Sequence, residues 1–253
     1  MSDNGNTQPR GLVNRGIPAR FGANTYIPIR TSAYGEQYTT PMNKWRHNAA
    51  DEGTYFVAHN TTNDAATTLA GHAAPVLVDA DATMTKPFIH ARYNVSSTAV
   101  TRVYLDFIEI EVITAGATGS ADSWAAQLDT GATRITSGGT ALTKVNPNMT
   151  SAATSGLDLL AGAPVAGAET TSSRDLGFGQ FRPSIQIAGD KFMFLFGGEP
   201  GEVGATSVAT ITHHVVGLPP VILGPTDQFL LALYSPSQNA AGVYKVRMGW
   251  LER

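Results

Sequence analysis

The sequence contains no cysteine. That excludes disulfides, thiolate metal sites and a cysteine nucleophile, and folding needs no oxidising compartment. Charge is scarce as well: 15% of the 253 residues are Asp, Glu, Lys or Arg, against about a quarter in an average soluble domain. The surface is therefore built from Thr, Ser, Asn, Ala and Gly. Such an exterior suits a protein packed against copies of itself or a larger assembly, although secreted β-proteins share it. Long apolar runs are missing too. No stretch approaches the roughly 18 residues of a membrane-spanning helix, and the opening Met-Ser-Asp-Asn-Gly-Asn-Thr-Gln-Pro-Arg lacks a signal peptide's apolar stretch. The expectation is a soluble product made in the cytoplasm, with no membrane partner. The glycosylation patterns at Asn60, Asn94 and Asn148 are then chance matches to a short motif.

What is present reads as β-structure. The length allows one large all-β domain or two small ones. Near the end, Asp227-Gln-Phe-Leu-Leu-Ala-Leu-Tyr234 is a short apolar run bounded by Gly224-Pro225 and Ser235-Pro236, the pattern of a strand buried on both faces. A polar loop over 235–242 leads into Val243-Tyr-Lys-Val-Arg-Met-Gly-Trp250. There Tyr244, Val246, Met248 and Trp250 alternate with Lys245, Arg247 and Gly249, as in a half-buried strand. With residues 207–216 these runs resemble a β-meander that closes a sheet.

Earlier in the chain, residues 1–24 hold few large apolar side chains and several Gly, Asn and Pro, and read as an extended arm. Tyr26-Ile-Pro-Ile-Arg30 could begin the first strand at an edge. Residues 31–50 form a long aromatic loop carrying Tyr34, Tyr38, Trp45 and His47. Residues 54–58, 75–79 and 88–95 read as strands, the last with Ile89, Ala91, Tyr93 and Val95 on one face. Residues 99–114 make the longest β-branched and aromatic run and the expected central strand.

Residues 115–179 turn to Gly, Ala, Ser and Thr, an elaboration with short strands of its own; low-complexity disorder is the competing view. Within them Ser120 to Leu128 could make two helical turns, with Trp124 and Leu128 on one face, and 134–135 and 142–145 are weak strand candidates. Order resumes at 184–187 and at Lys191-Phe-Met-Phe-Leu-Phe196, whose three phenylalanines share a face. The count is eight to ten strands with one or two short helices at most, and no solenoid period. It favours an all-β, two-sheet β-sandwich of jelly-roll type, with an arm at 1–24 and the sandwich over 25–253; a small barrel is the second choice.

Chemistry is hard to find. His213 and His214 are adjacent and point to opposite faces, and His90 has no partner two residues away, so the strand-borne ligand pattern of a metal site is missing. Glu109 and Glu111 have a spacing that could serve glycoside hydrolysis, yet with Asp106 they look more like a solvated or interface patch. Gly177-Phe-Gly-Gln-Phe181 and Gly197-Gly-Glu-Pro-Gly201 lack the helix, lysine and hydroxyl of a phosphate cradle. No catalytic residue, metal or cofactor is expected. Trp250 fits core packing, and Trp45 an interface anchor.

Charge is divided unevenly. Residues 1–50 hold six bases and two acids, leaving 11 bases and 18 acids in the rest, or +4 and −7. A basic arm on an acidic body is a docking device. The bases are too dispersed for a nucleic-acid tail.

The chain resembles accessory virion proteins of tailed bacteriophages, the head decoration or cement proteins with jelly-roll cores. The likeness lies in the Asn/Gly/Arg arm, the Thr/Ala/Gly-rich middle, and the ending Gly-Pro-Thr-Asp-Gln-Phe-Leu-Leu-Ala-Leu-Tyr-Ser-Pro-Ser-Gln followed by Tyr-Lys-Val-Arg-Met-Gly-Trp-Leu-Glu-Arg. It implies a non-enzymatic protein on the capsid exterior, bound to the major capsid protein and to itself as a trimer, that helps the shell resist internal pressure. The residues expected at partner contacts are Arg10, Arg15, Arg20, Tyr34, Tyr38, Trp45 and Arg46. Two other readings stand beside it: a receptor- or carbohydrate-binding module of a tail fibre or spike, and a β-sandwich glycan hydrolase or lyase using Glu109 or Glu111.

Overall fold

The structure, a computed structural model, describes residues 10–11, 27–28, 45–60, 69–75, 84–96, 101–116, 122–198, 213–235 and 238–253. The chain divides into two units, Met1–Trp45 and Arg46–Arg253. In the first, β1 (Arg10–Gly11) pairs antiparallel with β2 (Ile27–Pro28). The remaining expectations for residues 1–44 lie outside the described residues.

The second unit is a β-sandwich. After α1 (Trp45–Asp51) come β3 (Tyr55–His59), β4 (Leu69–Ala70), β5 (Ile89–Tyr93), β6 (Val103–Thr114), β7 (Asp122–Asp129), β8 (Ile135–Ala141), β9 (Thr143–Val145) and β10 (Leu157–Ala166). They are followed by β11 (Arg174–Arg182), β12 (Lys191–Phe196), β13 (His213–Leu218), β14 (Ile222–Leu223), β15 (Gln228–Tyr234) and β16 (Val243–Glu252). One sheet runs β11-β7-β15-β5-β10-β8. The other runs β13-β12-β6-β16-β3-β9, with β14 continuing one edge of β6 and β4 one edge of β16. Among the described residues all pairings are antiparallel except β12 with β13.

Eight strands carry the frame. Numbered 1 to 8 along the chain, β3, β5, β6, β7, β11, β12, β15 and β16 divide between the sheets in the orders 1-8-3-6 and 2-7-4-5. The first and last strands thus lie side by side. The segment between β7 and β11 adds a flank. β10 extends the smaller sheet beyond β5, β8 pairs with β10, and after buried Leu142 the chain passes to the larger sheet as β9 against β3.

Alternation along the strands builds the core between the sheets. Ile108, Ile110 and Val112 of β6 meet Val246, Met248 and Trp250 of β16 on the same inner face, with Phe192 and Phe194 of β12 beside them. Opposite lie Phe229, Leu231 and Leu233 of β15 and Trp124 of β7. Phe181 and Phe192 stack at 4.2 Å, Trp124 meets Phe194 edge-on, and Phe56 stacks on Trp250. Each such ring is worth about 1.5–3 kcal/mol relative to an exposed one. β15 is buried on both faces, as its apolar run implied, because Leu230 and Ala232 on its other side are covered by Met84, Ala166 and Ile135.

Several expectations are overturned. Residues 122–129 are a core strand, not helical turns: Trp124 and Ala126 face inward while Ser123, Ala125 and Gln127 face out, and pairing on both sides by β11 and β15 outweighs the helical preference of Ala-Ala-Gln-Leu. The end of the chain is not a meander. β15 and β16 lie in different sheets, and the 235–242 loop crosses between them. Residues 184–187 are a crossing segment rather than a strand. In the expected aromatic loop, residues 45–51 form α1, whose Ala49 packs on Tyr55 and Leu251. Of the expected strands, residues 76–79 and 207–212 lie outside the described residues.

Candidate interaction surface

The outward face of the larger sheet is assembled from the residues that alternate with the core. In one row across the strands, Val145, Val57, Gly249, Phe107 and Leu195 are successive partners. The next row is Thr143, His59, Arg247, Glu109, Met193 and Val215. A third is Lys245, Glu111, Lys191 and His213. Both acids in these rows are ion-paired: Arg247 donates to Glu109 at 2.6 Å, and Lys191 lies 3.7 Å from Glu111. Arg247 also lies over the Phe107 ring, 5.5 Å from its centroid. Exposed pairs of this kind contribute only about 0–1 kcal/mol; their larger effect is to hold long side chains flat over half-exposed apolar neighbours. Toward one end Tyr104 and Ile222 sit directly opposite each other, 37% and 50% exposed.

A bulge organises the part of this face under α1. Leu105 pairs with Trp250 and Phe107 with Gly249, so Asp106 is an extra residue in β6. Its carboxylate accepts from Arg46 Nε at 2.6 Å and Nη2 at 2.7 Å, a bidentate pair, and from the Tyr55 hydroxyl at 2.7 Å. Burial pushes the Tyr55 phenol up, and the bond to Asp106 adds to it. The carboxylate raises the Arg46 guanidinium further. Gly249 is required here, because a Cβ would run into the Phe107 ring and the Tyr55 hydroxyl.

Of the residues expected at partner contacts, Arg15, Arg20, Tyr34 and Tyr38 lie outside the described residues, and Arg10 is described only as a backbone partner of Pro28. Trp45 begins α1 and is half exposed. Arg46 is the outer arm of the Asp106 latch. Two exposed side chains were missed by the sequence reading. Phe178, 77% exposed, projects from β11, the outermost strand of the smaller sheet; the glycines on either side lie over Trp124 and marked the position. Met149, 95% exposed, tips a turn in which the Asn146 and Asn148 side chains donate to the backbone carbonyls of Gly53 and Asp51. Its Asn-Pro-Asn-Met-Thr run is a turn signal.

The ionisable side chains do not converge on a metal. Among the described residues no group of three or more His, Asp or Glu is placed to hold one. His213 is exposed, whereas His214 packs beside Phe181 and Phe192. His90 is buried against Gln228. His72 Nε2 lies 3.1 and 2.9 Å from the carbonyls of Pro87 and Pro164, so that nitrogen carries the proton. Burial lowers the pKa of both His72 and His90. Glu109 and Glu111 belong to separate ion pairs. A second network covers the smaller sheet: Arg134 donates to Gln127 and to the Gly167 carbonyl, and Gln127 donates to Glu169 and Asp175. Sequence reasoning also missed a core cluster of Asp122, Arg182 and Asp190, because Asp122 lies 60 residues before Arg182 and each member looks ordinary alone.

Comparison with protein-family models, with curated proteins and with solved structures finds no match.

Proposed function

We propose that this chain is a non-enzymatic structural protein of a bacteriophage virion, a decoration or cement protein that binds the outside of the capsid and stabilises it. The observation that carries the reading is the outward face of the larger sheet, where two ion pairs lie among half-exposed Phe107, Met193, Leu195 and Val215 and lead to the exposed Tyr104 and Ile222 pair. Interfaces are built this way, with charge depleted or paired and aromatic and Met side chains enriched. The 1-8-3-6 and 2-7-4-5 strand orders support the jelly-roll assignment, since that fold joins two Greek keys across two sheets. The low charge of the whole chain supports a life in contact with other proteins. On this reading the partners are the major capsid protein and further copies of the chain, as a trimer.

The test is co-sedimentation of the purified protein with capsids that lack it. The full chain is expected to pellet with shells, deletion of residues 1–24 to leave a folded domain that does not, and Tyr104→Ser with Ile222→Ser to weaken binding at least tenfold. Unchanged binding by both variants, or binding to glycans with none to shells, would overturn the proposal.

A further inference from the structure

At the flank opposite β8 and β9, three ionisable side chains are buried together. Asp122, at the start of β7, pairs across the ladder with Arg182 at the end of β11. Arg182 Nη1 donates to Asp190 Oδ2 at 2.6 Å, and both side chains are out of solvent. Asp190 Oδ2 also accepts the Ile187 N–H at 2.8 Å. Asp122 is equally buried, yet its Oδ2 has no hydrogen-bond partner.

Two carboxylates, of which only Asp190 is ion-paired, therefore lie beside one guanidinium where water does not reach, and with both ionised the group would hold a net negative charge in the core. Among the described residues the nearest other groups do not offset it. Gln186 is neutral and donates to the Tyr244 hydroxyl, and burial, with Asp122 nearby, holds the Tyr244 phenol protonated. His214, which faces Asp190 and Arg182 from β13, is kept toward its neutral form by burial. The missing positive charge is a proton. It belongs on Asp122, because Asp190 already accepts from two donors.

We propose that protonated Asp122 is a lock on residues 183–190, the segment that carries the chain from the smaller sheet to the larger one. The segment is fastened by the Arg182 to Asp190 pair, by the Gly189 N–H on the Val112 carbonyl at 2.8 Å, and by the Val112 N–H on the Asp190 carbonyl at 2.9 Å. Loss of the proton sets a second carboxylate beside Arg182, in competition with Asp190. The ionised group is relieved only by admitting water, which means lifting the segment.

The sign follows from burial. The folded Asp122 carboxyl is held well above the ordinary carboxylate range, chiefly through desolvation and then through Asp190, with Arg182 opposing. Opening returns it to water and releases a proton. The stabilisation is fully present below about pH 4 and is lost as pH rises toward the raised folded value. Over that interval the opening equilibrium grows about tenfold per pH unit, the slope for one proton.

Amide hydrogen exchange of Ile187, Gly189 and Asp190, corrected for the intrinsic pH dependence of exchange, reads this equilibrium. The full chain is expected to show the tenfold-per-unit rise as pH climbs above about 4, with amides of β15 showing none. Asp122→Asn, isosteric and neutral, is expected to abolish it. Should that variant not fold, the carboxyl carbon shift of Asp122 in the wild-type chain decides, and an acid that stays protonated above the ordinary carboxylate range is the expected result. A pH-independent opening in the wild type, an unchanged slope in Asp122→Asn, or an Asp122 that ionises in the ordinary carboxylate range would each overturn the proposal.

Discussion

Replacing Asp106 by Ala removes the acceptor of three hydrogen bonds at once, and the structure separates what each is worth. The Arg46 side chain is 49% exposed and that of Asp106 is 6% exposed, so the guanidinium falls back into water when its partner goes, and its loss costs about 1 kcal/mol. The Tyr55 hydroxyl has no such escape. Its bond to Asp106 is buried, and losing a buried acceptor there costs about 1–3 kcal/mol. Together Asp106→Ala is expected to lose about 2–4 kcal/mol, a fall in Tm of roughly 5–15 °C for a unit of this size. Tyr55→Phe and Arg46→Ala should each cost about 1–2 kcal/mol, since each leaves the carboxylate one partner. Their combination strands it, so the double variant should exceed the sum by about 1 kcal/mol. Urea unfolding of the four variants measures all terms. A loss under ~1 kcal/mol in Asp106→Ala, or strict additivity in the pair, would refute the view that the bulge exists to place this carboxylate between helix and sheet.

Two further substitutions probe the backbone. Thr226 occupies the turn after Pro225 at φ 68°, a left-handed conformation that a β-branched residue adopts at a cost; Thr226→Gly is expected to stabilise by about 0.5–1 kcal/mol, read as a rise in Tm, and a fall would show that its side chain matters more than its strain. Gly249→Ala forces a methyl group against Phe107 and Tyr55 and is expected to cost about 1–3 kcal/mol in urea unfolding, with loss of the Phe107 ring environment by NMR; a neutral result would mean the rings move freely aside.

Period-two patterns were legible from the residues alone. β5, β12, β15 and β16 lie where alternation or a bounded apolar run put them, because each buries its own inner face and that constraint is local. Partnership was not legible. Nothing in Asp227 to Tyr234 says that its neighbours are β5 and β7 rather than β16, since ladder bonds are made by backbone atoms common to every sequence. β7 was misread because Ala, Gln and Leu favour a helix wherever no sheet claims them. Of the surface, the Glu109 and Glu111 positions were read correctly as outward, while the Asp106 latch and the Asp122 cluster required knowing which distant residues arrive beside them. Gly249 carries the same lesson. Its need arises from Tyr55, nearly two hundred positions away.

One flank of the sandwich is bound like the spine of a book. Because residues 135–145 leave the smaller sheet and join the larger one without a break, the two covers cannot part there unless a strand is torn along its length. Any force that spreads them must act at the fore-edge, where the outermost strands β11 and β13 end the two sheets and residues 183–190 are the clasp.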